Sequence, residues 1–248
     1  MQGKLDVGGV VRRVFEIYVD QASVLMPAAA AVFVVTGIIS ALLAASGSFI
    51  GALLAIVLSI VAGTLFTGMV VELVADVQDG RRDSSPGQLL RAATPVIGPL
   101  ILVGLVAGFG IVIGFFLIIV PGLILITIWS VAAPVVVLER PPGLGALGRS
   151  RELVRGSGWQ VFGVIVILDV LVLVVAAVVD GVANSAGTGA GIVVRVIVGV
   201  LTAPVTALAA SVLYFDLRKL AGDQTPVVGP DDLGAAPRSD IAAQTAGS

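Results

Sequence analysis

Six apolar runs, each close to the roughly 20 residues that one helical membrane span needs, divide the chain, and short polar stretches separate them. The runs are Val24 to Ala45, Phe49 to Ala75, Val96 to Ile119, Gly122 to Leu138, Trp159 to Val179 and Ala190 to Tyr214. None shows the strict alternation of a barrel strand, and a lipid-facing backbone must satisfy its own hydrogen bonds, so each run is read as a helix. The predicted fold class is all-α: a polytopic membrane bundle of about six transmembrane helices. The fourth run sits at the short limit for spanning and contains Pro134, so a re-entrant third and fourth segment is the alternative.

The polar stretches are of two kinds. Ser46 to Ser48, a turn at Pro121, and the Gly-rich stretch Gly181 to Gly189 are short and nearly uncharged. The others carry the basic residues: Lys4, Arg12 and Arg13; Arg81, Arg82 and Arg91; Arg140, Arg149, Arg151 and Arg155; Arg218, Lys219 and Arg238. Basic residues after every second run are the mark of cytoplasmic loops. This predicts a multi-pass protein of the cell inner membrane with both termini in the cytoplasm. About twenty mixed residues precede the first run, which argues against a cleavable signal peptide.

Each hairpin of spans is preceded by a short amphipathic stretch in which Gly is followed four residues later by Arg: Gly9 to Arg13, Gly87 to Arg91, and Gly145 to Arg149. Three cytoplasmic interfacial helices are therefore expected, each leading into a hairpin, as a parallel threefold repeat. Residues 1–220 form the membrane domain. From Ala221 to Ser248 the chain is rich in Gly, Pro, Ala and Asp without apolar periodicity, and a disordered cytoplasmic tail is expected.

Composition narrows the function classes. Hydrophobic residues are 58% and charged residues 12%, with a mean hydropathy of +1.13, far from soluble domains. A net charge of -2, with the basic residues dispersed over loops, gives no nucleic-acid footprint. The chain has no Cys and no His, which removes thiolate chemistry and the commonest general base and metal ligand. No cofactor, metal site or catalytic residue is assigned, and a non-enzymatic protein is expected. Twelve Arg against two Lys, with abundant Ala, Val and Gly, fits a GC-rich bacterial genome.

Asp169 lies near the middle of the fifth run, where a carboxylate costs roughly 2.5 to 3.5 kcal/mol on insertion scales. Arg195 is the one basic residue inside a run, and Asp180 sits at the outer turn. In one reading Arg195 snorkels to pair with Asp180, leaving Asp169 protonated or hydrogen-bonded in the bundle. In the other, Asp169 is a proton or cation site facing a polar cavity, with Arg195 nearby. Glu72 reads as an interfacial carboxylate near Arg81 and Arg82.

The loop from Glu139 to Gln160 is the most distinctive stretch. On a helical wheel Ala146, Leu147, Ser150, Leu153 and Val154 share an arc of about 120°, and Arg149, Arg151, Glu152 and Arg155 occupy the rest. The segment is expected on the inner membrane surface with Trp159 as its aromatic anchor, held by anionic lipid at about 1 kcal/mol per basic residue. Arg149, Arg151, Glu152, Arg155 and Trp159 are thus candidate contacts to lipid or to an unidentified protein partner.

Pro134 through Glu139, the stretch Leu147-Gly-Arg-Ser-Arg-Glu-Leu-Val-Arg-Gly-Ser-Gly-Trp, and Leu213-Tyr-Phe-Asp-Leu-Arg resemble the membrane domain of bacterial glycerophosphoryl diester phosphodiesterases and its standalone relatives. The resemblance covers Leu5 to Arg218, with its specific motifs in the second half. It implies a domain that anchors a separate catalytic domain or stands alone with no assigned activity. The chain has no room for that catalytic domain and no His for its acid/base chemistry, so the resemblance implies no hydrolase activity. Two roles follow: anchoring, scaffolding or regulation near lipid or envelope processes, or a small-solute or proton-coupled transporter or channel that uses Asp169.

Overall fold

The computed structural model describes residues 5–78, 87, 94–185 and 188–222, and every regular element among them is helical. The chain runs through α1 (Val7–Asp20), α2 (Ala22–Ala45), α3 (Phe49–Gln78), a 3₁₀ turn (Thr94–Val96) and α4 (Ile97–Leu117). It continues through α5 (Ile119–Trp129), α6 (Ala132–Leu138), α7 (Gly145–Val154), α8 (Gly158–Ser185) and α9 (Thr188–Ala221). Among the described residues six segments are long and apolar enough to cross a membrane, α5 and α6 together making the fourth. The protein is a multi-pass membrane helix bundle.

The spans pair as three hairpins: α2 with α3, α4 with α5 and α6, and α8 with α9. Local chemistry makes the first two turns. At the first, Ser46 Oγ donates to the Leu43 carbonyl (2.6 Å), and Ser48 Oγ accepts from the Gly51 N–H (2.9 Å). Ser48 thereby caps α3. At the second, the turn falls at Ile118, whose backbone is extended. Pro121, expected to make this turn, lies inside the first turn of α5, because proline's fixed φ and missing N–H suit that position. Gly114 lies against the Gly122 backbone there, and a Cβ on Gly122 would meet the Phe115 ring at 2.6 Å.

Other boundaries also shift from expectation. The Gly-rich stretch from Gly181 is helical to Ser185, and α9 begins at Thr188. The fourth span breaks at Ser130 and Val131, and Pro134 falls in the first turn of α6, where it is tolerated. Two of the expected interfacial helices are α1 and α7. The segment holding Arg81, Arg82 and Arg91, and the tail beyond Gly222, lie outside the described residues.

Helix α9 is the hub, packing against α1, α2, α3, α6, α7 and α8. The core gathers at one end of the bundle, where the charged residues also lie. There the second half of α3, all of α6 and the last turns of α9 bring together Phe66, Val71, Val137, Leu208, Leu213 and Tyr214, each fully buried or nearly so. Toward the opposite, apolar end the helices face outward, with Leu42 70%, Phe49 83% and Phe116 90% exposed.

Candidate functional site

The charged end is closed by a set of hydrogen-bonded ion pairs. The apolar arc of α7, namely Ala146, Leu147, Ser150, Leu153 and Val154, is buried. Ser150 Oγ donates to the Ile128 carbonyl at the end of α5 (2.8 Å), which seats the helix. That docking turns Arg149 inward, where its Nε donates to Glu139 Oε2 (2.8 Å), and Glu152 lies 3.6 Å from its Nη1. The other oxygen of Glu139 accepts from the Tyr214 hydroxyl (2.9 Å). One carboxylate thus joins α6, α7 and α9.

The side chains of Glu139 and Arg149 are 9% and 25% exposed, so their charge-assisted bonds are little screened by water. Burial works against the Arg149 charge, but the hydrogen bond and charge of Glu139, with Glu152 and Tyr214, leave its pKa raised. Arg218 sits over the Tyr214 ring, 5.5 Å from its centroid. Glu139 is held at a backbone reversal. Arg140 takes a left-handed conformation, φ 48°, and its N–H bonds back to the Val135 carbonyl (3.2 Å), closing the end of α6.

A second pair repeats this arrangement elsewhere in the bundle. In α1, Val10, Val14 and Ile17 are buried against the bundle, and Arg13 pairs with Asp216 of α9. The Arg that ends each Gly-to-Arg stretch therefore has a physical role at both described copies. A docked amphipathic helix delivers its Arg to an acid at the charged end of another hairpin's return helix, Asp216 in one case and Glu139 in the other. Neither acid stood out in the sequence, because each follows an apolar run closely enough to read as an end-of-span charge. The Leu-Glu-Arg and Tyr-Phe-Asp-Leu-Arg endings were the available signal.

Glu72 departs from its interfacial reading. It is 3% exposed, and its Oε1 has no hydrogen-bond partner among the described residues. Its position halfway along the tightly packed part of α3 explains the burial, and Arg140 and Asp76 are the charges that act on it.

The intramembrane candidates are placed differently. Asp169 lies at the middle of the span Gly158–Gly181, but it is exposed on the outside of the bundle. Helix α8 buries Val161, Val164 and Leu168, and Asp169 lies about 100° around the helix from Leu168. It has no hydrogen bond or ion pair among the described residues. Asp180 is also exposed, near the apolar end of α8. Arg195 belongs to α9, and its side chain lies outside the described residues, so the Arg195 pairings stay expectations.

Of the surface candidates, Arg151 and Glu152 on α7 and Arg155 at its C-terminal end are exposed, and Trp159 is 84% exposed with its ring edge-on to Phe162 (6.0 Å). Arg149 is drawn into the ion-pair cluster, with Glu152 at its exposed edge. A cleft of about 680 Å³ opens between α5 and the start of α8, lined by Leu123, Thr127 and Ile128 on one wall and Gly158, Trp159 and Phe162 on the other.

A family model described as a domain of unknown function (DUF8558) matches residues 91–217. No curated protein and no solved structure matches the chain.

Proposed function

Since the chain belongs to the DUF8558 family, whose description assigns no activity, we propose from its geometry that it is a non-enzymatic membrane anchor or scaffold. It acts by contacts made within and beside the bilayer. The observation that carries this reading is Asp169, an acid at mid-span that looks out of the bundle. A carboxylate that conducts ions or protons has to face a polar interior, whereas an outward one is compensated by whatever adjoins that face.

The charged end faces the cytoplasm of the inner membrane in this reading, with both termini on that side. Arg151, Arg155 and Trp159 then meet the headgroups, and the two arginines favour anionic lipid. The resemblance to the membrane domain of glycerophosphoryl diester phosphodiesterases supports the same role, close to lipid or envelope processes.

Proteoliposomes test it. Wild type and Asp169→Asn should both show proton and monovalent-cation flux no greater than empty vesicles. Flux that is present in wild type and lost in a normally inserted Asp169→Asn protein overturns the scaffold in favour of the transporter. Because the chain has no Cys, a single Cys replacing Ser46 should label from outside the cell and one replacing Ser84 should not. External labelling at Ser84 overturns the orientation.

A further inference from the structure

Phe162 lines the cleft between α5 and α8, and Asp169 follows it by seven residues on the same helix. Seven residues are two turns less about 20°, so the two side chains share a face roughly 10.5 Å apart along the axis. Between them Val166 is 39% exposed, and beyond them Leu173 is 67% exposed. Phe162, Val166, Asp169, Leu173 and Ala176 are spaced by four, three, four and three, so they share one face, a seam along which another helix can pack lengthwise. Among the described residues no other helix covers that seam at Val166, Asp169 and Leu173, all three being exposed.

We propose that this seam and the cleft below it receive the membrane-spanning helix of a different protein, one that carries a hydrogen-bond-donating side chain at the depth of Asp169. The inference rests on the scaffold reading and gives it a partner. An acyl chain matches the apolar walls but has no donor for a mid-span carboxyl. A helix with Asn, Gln, Lys or Arg at that depth matches both. A second copy of this chain in the same membrane orientation, packed about a twofold axis on this seam, would set Asp169 against its own counterpart, a contact that holds only while at least one of the two carboxyls is protonated, whereas Asn or Gln can meet either form. The polar position at the centre of an otherwise apolar seam then selects the partner and its register.

The test uses the full chain in liposomes of zwitterionic phospholipid, donor-labelled at a Cys replacing Ser46. Two acceptor-labelled peptides are compared: a Leu/Ala transmembrane helix with one central Asn, and the same helix without it. Energy transfer should show the Asn peptide binding roughly three- to thirty-fold more tightly, the range that intramembrane hydrogen bonds deliver. The preference should vanish in Asp169→Leu and persist in Asp169→Asn. A photo-crosslinker replacing Val166 should capture the peptide, and one replacing Ile167, on another face, should not. Equal binding of the two peptides, a preference that survives Asp169→Leu, or Val166 crosslinks to a second copy instead of the peptide each overturn the proposal. So does quenching of Trp159 by brominated acyl chains that the bound Asn peptide fails to relieve. The readout involves no flux, so failure here leaves the scaffold reading to its own experiment, and an Asp169-dependent flux leaves the peptide preference to be judged alone.

Discussion

The two ends of the bundle solve the same packing problem by different means. At the charged end, α3, α6 and α9 converge on a buried core, and α1 and α7 close it with Arg13–Asp216 and Arg149–Glu139. At the apolar end, α2, α3 and α4 present Leu42, Phe49 and Phe116 outward. Lipid is as apolar as these side chains, so no hydrophobic force draws the apolar ends together, and packing and hydrogen bonds must do so. Hydrogen-bonding side chains suited to that task are concentrated at the charged end. The architecture is therefore a basket, fastened at one end and open to the bilayer at the other.

The largest effect expected from breaking this contrast is at Leu208, which is fully buried in α9. Leu208→Ala should lower unfolding stability by about 2–4 kcal/mol, measured by SDS titration of the protein in mixed micelles. The matching change at the open end, Leu173→Ala, should stay within about 0.5 kcal/mol. Equal losses at the two positions would remove the distinction between the ends.

Glu139→Ala should cost about 2–3 kcal/mol in the same titration, because it leaves Arg149 and the Tyr214 hydroxyl without their shared acceptor while Arg149 keeps partial access to water. Tyr214→Phe removes only one arm and should cost about 1 kcal/mol. In a double-mutant cycle, Glu139→Ala with Tyr214→Phe should be clearly non-additive. Additivity would mean the carboxylate does not tie α6 to α9.

Arg13→Ala acts on a pair whose Arg side chain is 41% exposed, and a loss of about 1 kcal/mol or less is expected. Smallest of all is Arg12→Ala. Its pair with Glu16 lies on the exposed face of α1, and no measurable change in the titration is expected. A larger loss for Arg12 than for Arg13 would reverse the assignment of which Arg in α1 fastens the helix.

Much of this architecture is legible in the residues. The spans could be read because a membrane imposes its demand locally, on each run of roughly 20 residues. The buried arc of α7 could be read because polar and apolar positions differ there at helical period. Neither condition helps with α8, where nearly every position from Val161 to Val179 is apolar and periodicity points nowhere. Asp169 was visible as an oddity, but the side it faces was not. Likewise Glu139, Asp216 and Arg13 were visible as charges near span ends, with nothing to say which would meet which.

The sequence by itself determined the all-helical class, the spans, the division into a charged and an apolar end, and the two described amphipathic helices. These depend on how each segment meets water or lipid. The tertiary structure alone decided that Glu139 gathers Arg149 and Tyr214, that Asp216 takes Arg13, that Glu72 is buried, and that Asp169 looks outward. Those facts depend on how helices rotate and cross against one another, and a uniformly apolar helix carries no mark of its own rotation.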